Sequence, residues 1–158
     1  RPRFRLMHFE PGSRPGLLAF ACQHLTPEMV WQQPWLQHPN GARAITRVVA
    51  IAEDLGKAAA SGRAWFGEAR VEQGTDSLGM AAEGFELELL RPEAAQSRYK
   101  GAIGPDLEGP ISFTVAVGDL DDCRRLLENA GVTVMENRSH LRVPPADANG
   151  VLLEFVEA

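Results

Sequence analysis

Apolar and polar positions along the chain fall into short runs that alternate between a strand period and a helix period. Residues 44–52 (AITRVVAIA) are rich in β-branched and apolar side chains and predict a strand. Residues 54–66 suit a helix, with Asp54 near its start and Gly67 after its end, although Gly56 and Gly62 lower its propensity. Three short strands are predicted around Ala69–Gln73, Leu78–Ala82 and Phe85–Leu90, punctuated by glycines at 74, 79 and 84. Residues 92–108 read as a polar connection with one helical turn. A strand at 111–117 (ISFTVAV) follows, then a helix at 119–130 with leucines at 120, 126 and 127 and acids crowding its first turn. Gly131 is its C-cap signal. Strands are expected at Val132–Glu136, Leu141–Val143 and Val151–Val156, separated by turn chemistry at Asn137–His140 and Pro144–Gly150.

Upstream, Phe4–Phe9 and Leu17–Cys22 read as two strands of a hairpin, turned by Pro11-Gly12-Ser13 and Pro15-Gly16. Thr26-Pro27-Glu28 is a helix start, with Thr as N-cap and Pro at the first helical position. Pro34 keeps that helix short. Trp31 and Trp35, four apart, are expected to pack together as one helix face. His38-Pro39-Asn40-Gly41 is a turn that separates residues 1–42, a hairpin and connector, from the rest.

The pattern then repeats. Arg47–Leu55 (RVVAIAEDL) aligns with Ser112–Leu120 (SFTVAVGDL), and Phe85–Leu89 (FELEL) aligns with Val151–Phe155 (VLLEF). Each copy reads strand, acid-started helix, then three strands ending in an apolar-Glu-apolar step. The expected fold class is therefore α+β, with paired βαβββ modules at 43–92 and 110–158 and a linker at 93–109, together forming a half-open barrel. One such module covers one face of its sheet with a helix. The concave face needs a partner, and two modules side by side turn it into a cavity fit for a small molecule.

Composition narrows the function classes. The chain has 158 residues and a net charge of -5, so it offers no basic face to nucleic acid or to an anionic membrane surface. Its 44% hydrophobic content is enough for a packed core. The two cysteines, Cys22 and Cys123, have no zinc spacing and read as reduced core thiols of a cytoplasmic protein. No hydrolase elbow, phosphate loop or dinucleotide fingerprint is present. The first residue is Arg, which fits a piece of a longer chain.

The Asp54-Leu55 and Asp119-Leu120 steps after their strands, and the closing stretch 143–155 (VPPADANGVLLEF), resemble the glyoxalase / bleomycin-resistance / dioxygenase (vicinal-oxygen-chelate) superfamily. Cys22-Gln23-His24, Trp31, Pro34 and His38–Ala42 resemble a subgroup of larger glyoxalase-like proteins with two barrels. On that resemblance residues 43–158 are the second barrel, and residues 1–42 hold the last strands of a first one. The resemblance also implies one metal ligand from the first strand and one from the last strand of each module. Those positions are Arg47, Glu88, Ser112 and Glu154 here. The implied metal is Ni, Zn, Mn or Fe, acting as a Lewis acid on vicinal substrate oxygens.

The residues themselves qualify this. Arg47 is a permanent cation and cannot ligate, and Ser112 is a poor ligand. Glu88 and Glu154 remain as carboxylates, with Glu154 the catalytic candidate and His24 a third metal candidate near the preceding barrel's site. His24 reads equally as a residue bonded to backbone at a turn, and Glu88 and Glu154 as solvated strand residues. Arg47 facing either carboxylate would make an ion pair or clamp an anionic substrate, with Ser112 beside it. His38 reads as a turn residue, His8 has no evident partner, and His140 reads as exposed in a turn.

Three functions follow as expectations. The first is part of a metal-dependent lyase or dioxygenase-type enzyme, its metal held mainly outside this segment. The second is a metal-free small-molecule binding or resistance protein, though aromatics at 7% argue against a stacking cavity. The third is a degenerate structural barrel. A homodimer, or packing against an N-terminal barrel, would cover what the chain leaves exposed.

Overall fold

The computed structural model describes residues 1–10, 17, 19–104, 109–137 and 139–158. The expected Pro-Gly turns at residues 11–16 lie outside the described residues, as do positions 105–108 of the expected linker. An antiparallel hairpin opens the chain, β1 (Phe4–His8) against β2 (Phe20–His24), with Leu6 opposite Cys22 and Phe4 opposite His24. The second strand thus begins three residues later than its apolar run suggests.

The helix expected after Thr26 is two separate 3-10 turns, Pro27–Met29 and Gln33–Trp35, the second built around Pro34. Thr26 does not cap the first turn; its hydroxyl accepts from the Arg3 backbone N–H at 2.9 Å. Trp31 and Trp35 consequently share no helix face and are both exposed.

The first module is β3 (Ala42–Ile51), α1 (Leu55–Phe66), β4 (Val71–Gln73), β5 (Ser77–Ala82) and β6 (Phe85–Leu90). After α2 (Pro92–Arg98), the second is β7 (Pro110–Val117), α3 (Leu120–Asn129), β8 (Met135–Asn137), β9 (His140–Val143) and β10 (Leu152–Glu157). Both repeat helices start by the same device. Asp54 Oδ1 accepts from the Lys57 N–H at 2.9 Å, and Asp119 Oδ1 accepts from the Asp122 N–H at 2.8 Å. Gly131 follows α3 at φ 74, a left-handed conformation that costs glycine nothing.

These eight strands form one mixed sheet in the order β4-β5-β6-β3-β7-β10-β9-β8. Within each module the first strand pairs in parallel with the last, and the registers match: Arg47 faces Glu86 as Ser112 faces Leu152. The modules join where β3 runs antiparallel to β7. This is the duplicated βαβββ arrangement, as an open sheet with no pairing between β4 and β8.

Strand alternation separates the two faces. Ala50, Leu87 and Leu89 pack with Leu55, Ala58 and Ala59 of α1. Val117, Leu141, Val143 and Phe155 pack around Cys123 of α3. Val49, Ile51, Leu90 and Leu152 point the other way, into the concave face, and are covered by Ala95 and Tyr99. The connector is therefore not a plain polar linker: α2 is a short amphipathic helix that seals one end of the concave face. Cys123 is a buried core thiol, pushed up by its burial, but Cys22 is exposed on the hairpin. No helix among the described residues is long and apolar enough to cross a membrane.

Asp147 ties the loop after α3 to the turn before β10, accepting from the Thr133 backbone N–H at 3.0 Å. Its hydrogen bonds to Thr133 hold the carboxyl below its ordinary value. A depressed carboxyl adds stability above its unfolded value and loses it as pH falls through the folded one. Asp147→Ala is expected to lower the urea midpoint at neutral pH, with the difference from wild type closing in acid. A gap that persists unchanged in acid would contradict this.

Candidate functional site

The expected ligand positions do converge on the concave face, with arginines bound to them. Glu88 on β6 is nearly enclosed, its side chain 8% exposed, and its Oε2 takes two cations. One is Arg47, from the neighbouring strand β3; the other is Arg98 at the end of α2, at 2.6 Å. Arg47 Nε also stands 3.4 Å from Glu86 Oε2, yet it is shielded from solvent and makes no hydrogen bond.

Glu154 on β10 is the counterpart of Glu88 in the second module, its side chain 10% exposed. Ser112, fully buried on β7, donates to its Oε2 at 3.2 Å. Arg142, directly opposite on β9, donates to Oε1 through Nε at 2.8 Å and lies 2.7 Å away through Nη2. His140 Nε2 is 3.6 Å from the same oxygen. The two halves thus anchor equivalent carboxylates with guanidiniums from different places. The position opposite Glu88 on β5 is Gly79, so the first module draws its second cation from the connector.

Tyr99 lies between the two clusters. Its ring packs under the Arg142 guanidinium, 5.7 Å from carbon to centroid. Burial pushes the phenol above its ordinary value and the field of Glu154 adds to that, while Arg47 and Arg98 pull it back. It stays protonated at neutral pH. The hydrogen bond and charge of Glu88 likewise raise Arg98.

These groups line an open cavity of about 400 Å³ that includes Arg47, Arg98, Tyr99, His140, Arg142 and Glu154. His140 is therefore a half-buried strand residue at the cavity, not an exposed turn residue. His24 is placed elsewhere, on the hairpin. Its Nδ1 accepts from Trp31 Nε1 at 3.2 Å, the two rings stack at 5.6 Å, and Phe4 meets it edge-on.

Sequence reasoning missed Arg98, Tyr99 and Arg142. The available signals were slight: Ala95 and Tyr99 stand one helical turn apart on an apolar face, and His140 and Arg142 share a strand face.

The residues present do not fit the divalent metal that the fold family implies. Among the described residues no three His, Cys, Asp or Glu side chains gather as a metal site. Glu88 and Glu154 already carry guanidiniums within 3 Å, and a dication entering either carboxylate would have to displace them. The other two family positions hold Arg47, a third cation, and Ser112, which donates its proton to Glu154.

A scan against protein-family models and a search of curated proteins both find no match. Solved structures do match. Methylmalonyl-CoA epimerase from Mycobacterium tuberculosis superposes with a TM-score of 0.54 at 18% identity, over 77% of this chain and 91% of its own. A variant of the Streptomyces coelicolor epimerase in complex with 2-nitronate-propionyl-CoA gives 0.51 at 21% identity, over 73% and 94%. A hypothetical protein from Staphylococcus aureus gives 0.60 at 9% identity, over 99% of this chain but 51% of that one. Methylmalonyl-CoA epimerase is a vicinal-oxygen-chelate protein, and at these identities the likeness shows that this chain shares its fold.

Proposed function

We propose that the concave face binds a small organic anion without a metal, seating its acid group among Arg47, Arg98 and Arg142. The observation that carries this is the sharing of one Glu88 oxygen by two guanidiniums at the cavity wall. Each guanidinium has five N–H donors in a fixed fork, and one carboxylate oxygen cannot occupy ten. The Arg47 and Arg98 side chains are 36% and 40% exposed, so donors remain turned to the cavity. Glu88 holds the two forks in place, and the low dielectric of the sheet floor strengthens what they bind. The volume suits a small organic ligand. The complex of the Streptomyces epimerase is a case of this fold holding a small molecule.

The metal-dependent lyase and dioxygenase readings draw no support from this donor set. Glu154 is the candidate for a catalytic carboxylate, with Ser112 and Arg142 fixing both its oxygens. On the same proposal residues 1–42 close a neighbouring sheet of the same kind. The Staphylococcus aureus match spans the hairpin within a chain about twice as long, and Phe4, Leu6, Phe20 and Trp31 are left exposed here.

Titration calorimetry with hexanoate and with neutral hexanamide, in the presence of a chelator, tests the reading. The acid is expected to bind and the amide not. Arg98→Met should weaken the acid by about tenfold to a hundredfold, the worth of a hydrogen bond to a charged group. Equal binding of acid and amide, or binding that appears only when a divalent metal is added, would sink it.

A further inference from the structure

Glycine weakens a strand interior, and one kept there often marks a place where something approaches the backbone closely. Gly79 stands midway along β5, paired regularly with Glu72 on one side and Glu88 on the other. Its backbone is outside the left-handed region, so no turn or bulge requires it. A Cβ there would meet Glu86 Oε1 at 3.4 Å and the Glu72 carbonyl oxygen at 4.0 Å, both ordinary contacts. The protein's own packing therefore does not explain the missing side chain.

Leu78 and Met80 face α1, so Gly79 and Ala81 face the cavity side with Glu86 and Glu88. They line a second space of about 180 Å³ together with Glu72 and Arg70. Glu86 lines both this space and the arginine-bearing cavity, so the two adjoin. Arg47, Glu86 and Ala81 form one row across β3, β6 and β5. The second module is closed at the matching place, because Arg142 occupies the position opposite Glu154. The concave face is thus open past its first module and filled at its second.

We propose that Gly79 admits the ligand's chain: the space over Gly79 and Ala81 takes the unbranched tail of an acid whose carboxylate is held by the arginines. This rests on the anion site proposed above and adds a direction and a length to it. A chain leaving Arg47 along the row reaches Ala81 after two strand spacings, roughly 10 Å. Glu86 stands in its path, but its side chain is 45% exposed and can swing toward water as the chain passes. Small residues at 79 and 81 let methylenes lie against the sheet and leave water. The preferred ligand is therefore a straight-chain acid of medium length rather than a short or branched one.

The experiment compares butanoate with octanoate by titration calorimetry on wild type and on Gly79→Val. Wild type is expected to bind octanoate about tenfold more tightly, the worth of burying roughly two methylenes. Gly79→Val should bind butanoate as wild type does and keep at most about a twofold preference for octanoate, because the methylenes stay in water. Valine favours strands, so the variant should unfold no earlier than wild type. Should it nevertheless fail to fold, Ala81→Leu blocks the same path and decides in its place. A full octanoate preference in the blocked variant, or none in wild type, overturns the proposal. So does an equal loss of both acids in the blocked variant, which would place the effect on the arginines. If neither acid binds wild type, it is the anion site itself that has failed.

Discussion

Replacing Arg142 with methionine is expected to lower the unfolding free energy by about 3 kcal/mol, although no apolar contact of the core is removed. The reason lies in Glu154. Its carboxylate is 10% exposed and Arg142, itself 20% exposed, donates to Oε1 through Nε and stands 2.7 Å from it through Nη2. Ser112 can satisfy the other oxygen but brings no charge. Without Arg142 a buried anion is left with a hydroxyl and with His140, which counts as a cation only when protonated. If the cost is that of an uncompensated charge, removing the charge should remove the cost. Arg142→Met with Glu154→Gln keeps an acceptor for Ser112 and should recover most of the loss in urea denaturation. A single variant costing under about 1 kcal/mol would mean the pair is screened as a surface pair is. A double variant no better than the single would mean the loss is one of packing.

Leu152→Ala is the other large effect, again about 3 kcal/mol. Leu152 is fully buried, on the concave side of β10, in the cluster that Ala95 and Tyr99 cap. Removing its branch leaves a void under the connector. Leu152→Met, which nearly conserves volume, should stay within about 1.5 kcal/mol of wild type. The void has a second consequence at the site. Tyr99 is held above its ordinary value chiefly by burial. A loosened floor admits water, so tyrosinate should appear at lower pH in Leu152→Ala than in wild type. Unchanged tyrosine titration in a clearly destabilised Leu152→Ala would show that the connector is seated independently of this cluster.

Both effects concern the side of the sheet that the sequence describes least. Elements and their order could be read directly, because their signals are local. Asp54 and Asp119 mark their helices by capping backbone N–H groups three residues on, which needs no tertiary contact. The apolar-Glu-apolar steps at residues 87–89 and 153–155 fall in the last strand of each module. Where local signals competed, the boundaries moved. The run at 17–22 suggested an early strand, but the register with β1 starts it at Phe20. Thr26 looked like a cap, but the Arg3 N–H reached its hydroxyl first.

The sequence by itself determined the duplicated βαβββ order and the α+β class, and its family resemblance singled out positions 47, 88, 112 and 154, which pair within their own modules, Arg47 with Glu88 and Ser112 with Glu154. Only the tertiary structure decided what those positions do. Partners of a buried charge are chosen by register across a sheet and by where a connector folds back. Arg142 meets Glu154 because β9 and β10 pair antiparallel with those two residues opposite. Arg98 and Tyr99 reach the cavity because Ala95 and Tyr99 have an apolar floor to cover. Neither relation is encoded in a spacing along the chain. Long-range electrostatics therefore became visible only once the strands were paired, and with it the three guanidiniums set on the two carboxylates.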